Sequence, residues 1–407
     1  MRYRAAWVVP IAGPPIRDGW VDVEAGRVTG VGGRVRSPAV VAEVELGHVA
    51  VLPGLVNAHT HLELSHLRDA IPPGQHFVSW IRRVVALQRE RRDPGADSIL
   101  AGVDEGIREA VASGTALVGD ISNTLVSFDP LMRSALAGVV FYELIRFRAA
   151  SPGEIVAVVQ DALDRVAALT SGNVRASLAA HAPYSVSPEL LRALARKWGR
   201  VSPTPFSVHL SESVEEVEFV QTGGGPWRTF LEDMGSWDPA FVAPAVSPVE
   251  YLDRMGVLGP RTLAVHGVQM TPSDLARLAE RGSTLVTCPR SNARTGAGTP
   301  PIAAFYASGV RVAVGTDSLA STPDLNVFSE LAAMRALAPS VPAALFLESA
   351  TRHGAAALGF DDYGTIEPGQ QARLLAVAIP PGCDDVEEYL VSGIRPEQCG
   401  WLICSAM

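Results

Sequence analysis

Eight short apolar runs recur along the chain, separated by stretches with helical patterning: VLPGLVNAH, TALVGD, GVVFYEL, VRASLAAH, FSVHLS, TLAVHG, STLVTC and VRVAVGTD. Each has the length and composition of one buried strand. The segments between them, such as 188–197 and 272–281, carry apolar residues at helical spacing. Strands that alternate with helices pair in parallel, because a parallel connection has to cross back over the sheet. Eight such units are the number that closes an α/β fold into a (β/α)8 TIM barrel. A doubly wound sheet is the alternative, but no GxGxxG opens a helix here. VTGVGG precedes no helix and reads as a turn.

The two ends are patterned differently. Residues 1–50 and 364–407 alternate short β-branched runs with Gly and Pro, which predicts one composite β-domain built from both termini, flanking a barrel over 51–363. Two insertions interrupt the barrel repeat. Residues 72–92 carry Phe77 and Trp80, and residues 223–248 carry Trp227, Phe230, Trp237 and Phe241. They read either as packing on the barrel exterior or as a lid over the strand ends.

Composition narrows the partners. Of 407 residues 47% are hydrophobic, enough for a large core, and the net charge of -9 comes with no basic stripe for nucleic acid. No run of 18 apolar residues offers a membrane span. The opening MRYRAAWVVPIAGPPIRDG is broken by prolines and reads as a first strand, not a signal peptide. The four cysteines, Cys288, Cys383, Cys399 and Cys404, form no CxxC pair, which predicts a reduced cytoplasmic protein. The expected partner is a small-molecule substrate, with a homodimer as the candidate assembly.

The chemistry lies in the histidines. Five of the nine, His59, His61, His181, His209 and His266, fall at or just beyond the ends of apolar runs. In a barrel those ends share one face and converge. His59 and His61 are two residues apart, so on an extended strand both imidazoles project to the same side. With His209 and Asp317 they make three nitrogens and one carboxylate without thiolates, a set suited to one divalent ion: zinc first, iron or manganese as alternatives. Glu212 lies three residues past His209, where it reads either as a group facing substrate or as an ordinary acid at a helix N-terminus. Glu215, Glu216 and Glu218 fit the second description. His266 would crowd a tetrahedral ion and is expected to hydrogen-bond the bound water or a developing oxyanion.

In the order PGLVNAHTH, HAPYSVSPELL, HLSE, His266 and GTDSLAS, the chain resembles the amidohydrolase superfamily over nearly its whole length. GTIEPGQQARLL is similar to the closing strand pair of that family's β-domain. Some members bridge two metals with a carbamylated lysine. The only lysine here, Lys197, lies within a predicted helix, which favours a single metal. The resemblance is strongest to mononuclear aminohydrolases. It implies hydrolytic deamination by a metal-activated water, with Asp317 and His266 handling the water and Glu212 shuttling the proton. HTHLELSHL, FVSW and DLNVFSEL look most like the deaminases of the futalosine route to menaquinone, which act on 6-aminodeoxyfutalosine. Deaminases of adenosylhomocysteine, guanine or cytosine, a chlorohydrolase, and a non-catalytic scaffold on the same fold are the alternatives. The resemblance implies nucleoside contacts from His181 and Glu63. A benzoate-bearing substrate would also need a distal cation, expected from Arg146 or Arg148, of which the alternation turns one inward, or from Arg290. Phe77 and Trp80 would supply an aromatic wall.

Overall fold

In this computed structural model residues 1–33, 42–74, 76–90, 93–168, 172–199 and 202–402 are described. Cys404 and parts of both the first insertion and the C-terminal β-segment lie outside them. The first strands form a sheet of their own: β1 (Arg2–Val8), β2 (Ile16–Glu24), β3 (Arg27–Gly32), β4 (Glu43–Glu45) and β5 (Val49–Pro53). The barrel strands follow: β6 (Leu55–Thr60), β7 (Thr115–Ser122), β8 (Ala137–Leu144), β9 (Val174–Ala180), β10 (Phe206–Leu210), β11 (Thr262–His266), β12 (Thr284–Thr287) and β13 (Arg311–Val314). The chain then returns to the first sheet with β14 (Leu374–Ala378) and β15 (Cys399–Trp401).

Both ends of the chain thus build one sheet, ordered β15-β14-β5-β1-β2-β3 with β4 on β1. The antiparallel pairing of β14 with β5, Leu374 opposite Pro53 through Ala378 opposite Val49, joins the C-terminal segment to the entry of the barrel. The eight parallel strands run β6 to β13 in sequence order. They alternate with helices, as the apolar periodicity predicts. Helix Pro188–Trp198 starts where the Ser187 hydroxyl accepts from the Leu190 N–H, with Pro188 in its first turn. Helix Pro272–Arg281 starts in a capping box between Thr271 and Asp274 and stops at Gly282, at φ 70°.

Closure between β6 and β13 is made largely by side chains. The Asn57 amide donates to the Thr316 hydroxyl at 2.7 Å, and the Thr316 N–H donates back to Asn57 Oδ1 at 3.0 Å. The Asp317 N–H donates to the His59 carbonyl at 3.0 Å. Gly315 makes room for this seam, since a Cβ there would sit 2.7 Å from that of His59. Beneath the rim, Val56, Ala58, Leu117, Val139, Phe141, Leu263, Val265 and Val286 pack with Ala355, Leu358 and Phe360. This apolar filling lies below the C-terminal strand ends, where the histidines gather.

Candidate active site

All the residues singled out at run ends lie at C-terminal strand ends. His59 is the penultimate residue of β6 and His61 follows that strand. His181 follows β9, His209 lies in β10, His266 ends β11, and Asp317 comes three residues after β13. Backbone bonds tie these positions around the rim. The His181 N–H donates to the Leu144 carbonyl at 3.0 Å, and the His209 N–H to the His181 carbonyl at 2.9 Å. Ser211, His266 and Asp317 have φ of 53°, 80° and 62°, a region that costs a non-glycine residue about 1–3 kcal/mol. Three such residues at one rim mark where the fold holds side chains against local preference.

The rings converge. His59 lies 4.9 Å from His61 and 5.0 Å from His209 between ring centroids, both edge-on, and 5.6 Å from His266. Asp317 Oδ1 is 3.9 Å from His59 Nε2 and 3.6 Å from His61 Nε2. His59 is fully buried, and both its ring nitrogens lack a hydrogen-bond partner. An imidazole so placed is costly unless something accepts its lone pair, and a divalent cation does so. Ligand atoms of His59, His61 and Asp317, and separately of His59, His209 and His266, lie within 4.8 Å of one another. The His209 Nδ1–H donates to the His181 carbonyl at 2.8 Å, which leaves Nε2 free to ligate. Burial holds His59, His181 and His266 well below the usual imidazole range and His61 at about 3, so the rings are neutral, as ligation requires. The residues present fit the metal that the donor set implies.

Glu212 and His266 form the second part of the site. Glu212 is buried, with Oε1 3.5 Å from His266 Nε2. Burial pushes its carboxyl well above the ordinary range, and the charges of Asp317 and Glu216 add to this. The Asn292 amide donates to His266 Nδ1 at 3.0 Å and reaches Glu212 Oε1 at 3.5 Å. With that amide orientation the neutral His266 carries its proton on Nε2, toward Glu212. The Ser291 hydroxyl donates to Asp317 Oδ2 at 2.5 Å, fixing the carboxylate with Oδ1 toward the imidazoles.

Glu216 differs from the solvated helix-end acid that its position suggests. It is fully buried, and its carboxylate accepts the N–H of Ser211 at 2.8 Å and of Glu212 at 2.9 Å. It therefore clamps the turn that presents Glu212. Ser291, Asn292 and Glu143 also went unnoticed in the sequence. Glu143 had a readable signal, since it lies at the polar end of GVVFYEL as the histidines lie at theirs. It is buried, its Oε1 is 3.6 Å from His209 Nδ1, and burial with the nearby charges of Glu63 and Asp317 pushes it up to about 8.

The expected substrate contacts are placed unevenly. His181 lies beside His209, at 4.9 Å between centroids, with Nδ1 on the Ser185 hydroxyl at 2.7 Å. Glu63 is buried, and its Oε2 is taken up by the Ser122 hydroxyl at 2.6 Å and the Asn123 N–H at 3.0 Å. Trp80 is buried in a satellite cluster with Leu67, Ile71, Val84 and Ala320. Phe77 instead reaches Trp227 of the second insertion at 6.1 Å, and Trp227 stacks on Tyr184 at 3.7 Å. The alternation expected to turn Arg146 or Arg148 inward buries Phe147 between them and leaves both arginines exposed, because Phe147 joins Phe219, Trp237 and Phe241. Arg290 is engaged by Asp324 at 2.8 Å and Glu330 at 3.5 Å, so it is held as a structural cation.

Known proteins resemble this chain over most of its length. Residues 50–393 match the amidohydrolase family model. An aminodeoxyfutalosine deaminase of Deinococcus radiodurans is 36% identical over 330 residues, covering 78% of this chain and 75% of that protein. A 5-methylthioadenosine/S-adenosylhomocysteine deaminase of Nitratidesulfovibrio vulgaris is 30% identical, covering 89% and 79%. Among solved structures, an adenosine deaminase from Xanthomonas campestris with bound zinc superposes with a TM-score of 0.81 at 27% identity, covering 99% of this chain and 91% of that one. Helicobacter pylori aminofutalosine deaminase in complex with methylthio-coformycin gives 0.83 at 24% identity, covering 99% and 100%, a likeness of fold.

Proposed function

This chain belongs to the amidohydrolase family and is a hydrolytic deaminase, and we propose that it acts on a 6-aminopurine nucleoside, specifically 6-aminodeoxyfutalosine. The observation that carries the proposal is the buried, unpaired His59 imidazole facing His61, His209 and Asp317, with the Glu212 carboxyl alongside on His266. The relative at 36% identity supports the specific substrate. We read the resident ion as zinc, held by His59, His61, His209 and Asp317. The donor set supports that reading, as does the zinc-bound Xanthomonas relative.

When bound, such an ion acidifies the attacking water. Asp317, anchored by Ser291, accepts the proton that the water gives up. The His266 Nε2–H orients the oxygen as its bond to the purine carbon forms. Glu212, kept protonated by burial, donates to the ring nitrogen beside that carbon. As the carbon–nitrogen bond breaks, Asp317 passes its proton to the departing amine, the proton left on the attacking oxygen returns to Glu212, and ammonia leaves. The three described cysteines are free, in keeping with a reducing, cytoplasmic setting in the futalosine route to menaquinone.

Ammonia release decides the reading. Purified protein is assayed with aminodeoxyfutalosine, 5′-methylthioadenosine, adenosylhomocysteine and adenosine. The highest kcat/KM is expected for aminodeoxyfutalosine. Equal turnover of adenosine would refute the specific substrate and keep the deaminase. A preference for the thioethers would move the chain to the group represented by the 30% identical relative.

A further inference from the structure

We infer that Glu143 is a substrate-binding residue that hydrogen-bonds a sugar hydroxyl of the nucleoside, which rests on the nucleoside reading above. Glu143 is the penultimate residue of β8 and is 5% exposed. Its Oε2 accepts from the Asn123 side-chain amide at 2.8 Å, and the Asn123 backbone N–H is itself fixed on Glu63 at 3.0 Å. The other oxygen, Oε1, is buried without a hydrogen-bond partner among the described residues. The His209 Nδ1–H, 3.6 Å away, is already given to the His181 carbonyl at 2.8 Å. The site thus holds a rigidly placed carboxyl with one open oxygen, and that oxygen calls for a hydrogen-bonding partner.

A second cation is the rival occupant, because ligand atoms of Glu143, His181 and His209 lie within 4.8 Å of one another. His209 cannot serve it, since its Nδ1 carries the donated proton. Glu143 and His181 alone are too few to build a metal site. A hydroxyl both donates and accepts, so it completes the carboxyl in either protonation state without adding a charge. Position around the barrel points to the sugar. Glu212, His266 and Asp317, the groups at the reacting carbon, follow β10, end β11 and follow β13, whereas Glu143 lies in β8 and His181 follows β9. A base seated over the first arc leaves its ribose over the second.

The test pairs hydroxyl removal with carboxylate removal. Aminodeoxyfutalosine, 5′-methylthioadenosine and adenosine are assayed for ammonia release, and the best is compared with its 2′,3′-dideoxy counterpart. Wild-type protein should lose roughly tenfold or more in kcat/KM on the dideoxy compound, mainly through KM. Glu143→Ala should handle the two within about threefold of each other while keeping its bound metal. Should that variant not fold, Glu143→Asp withdraws the oxygen by one methylene and is read the same way. A wild-type protein indifferent to the hydroxyls, or a variant that discriminates as strongly as wild type, overturns the inference and leaves the deaminase reading intact. Two metals per chain falling to one in Glu143→Ala overturns it in favour of the cation. Ammonia release from none of the three nucleosides overturns the nucleoside reading and this inference together.

Discussion

Removing the Glu216 carboxylate would leave two buried N–H groups, those of Ser211 and Glu212, without an acceptor. Each orphaned donor costs about 1–3 kcal/mol, and Ser211 would be freed from its positive φ. Glu216→Ala is therefore expected to lower both stability and kcat, the latter by up to about 10² through displacement of Glu212. Glu216→Gln keeps one acceptor and should fall between Ala and wild type. Denaturant melts beside initial rates check this, and an Ala variant with full kcat would return Glu216 to an incidental helix-end acid. Glu212→Gln tests the proton shuttle directly. It should retain fold and metal while losing a factor on the order of 10² to 10⁴ in kcat. Glu212 and Glu216 are four residues apart, and their different roles come from what each carboxylate faces.

The two insertions meet over the strand ends. Phe77 of helix Phe77–Glu90 packs edge-on against Trp227 of helix Gly225–Asp233, Arg82 pairs with Asp233 at 2.7 Å, and the Arg82 guanidinium lies 5.0 Å from the Phe230 ring centre. Trp227 also stacks on Tyr184, whose ring is 5.7 Å from that of His181. A continuous aromatic path thus joins both insertions to a site histidine. Trp227→Ala removes its centre and is expected to cost about 3–5 kcal/mol in stability. It should also raise KM more than it lowers kcat, since no reacting group moves. A thermal melt and a Michaelis series check both, and an unchanged KM would make the insertions exterior packing. At the closure seam, Asn57→Ala deletes both bonds to Thr316 and should destabilise by about 1–3 kcal/mol.

Across the whole molecule, stability and metal content are coupled, because five histidines, three of them buried, share one rim. Elemental analysis should find about one ion per chain, and His209→Ala should lose it. Chelation should lower Tm, and returning zinc should raise it by mass action. The pH dependence of the chelated protein follows from His61, at about 3, and His59, His181 and His266, all lowered by burial. Their folded values lie below the unfolded value near 6.5, so the unfolded chain binds more protons between the two. The stability they contribute is complete above about pH 6.5 and is lost as pH falls toward about 3. Glu143 and Glu330, at about 8, and Asp120 and Glu216, at about 7, act oppositely: the stability they contribute is complete below the unfolded value near 4 and is lost as pH rises through the folded values. Above about pH 6.5 only the carboxyls still change, so Tm of the chelated protein should fall between about pH 6.5 and 8. A Tm that holds or rises over that range would contradict the buried, protonated carboxyls.

Apolar periodicity carries the barrel, because a buried parallel strand must be apolar on both faces and needs a helix to cross back. Once the barrel stands, a polar residue at the end of a run has only one face to occupy. For that reason His59, His61, His181, His209, His266, Glu212 and Asp317 are legible as a group in the sequence. Pattern does not say which partner a side chain meets. Asn57 and Thr316, 259 residues apart, become neighbours only when the first and last strands close. Asn292 fixes the proton on His266 across 26 residues, and Asn123 fixes Glu143 across 20. The outward turn of Arg146 and Arg148 was decided by Phe147 finding an aromatic cluster supplied by Phe219 and by Trp237 and Phe241 of the second insertion. Periodicity records which face a residue prefers. Pairing depends on chain closure and on competition among side chains for the same buried space, and these exist only in the folded molecule.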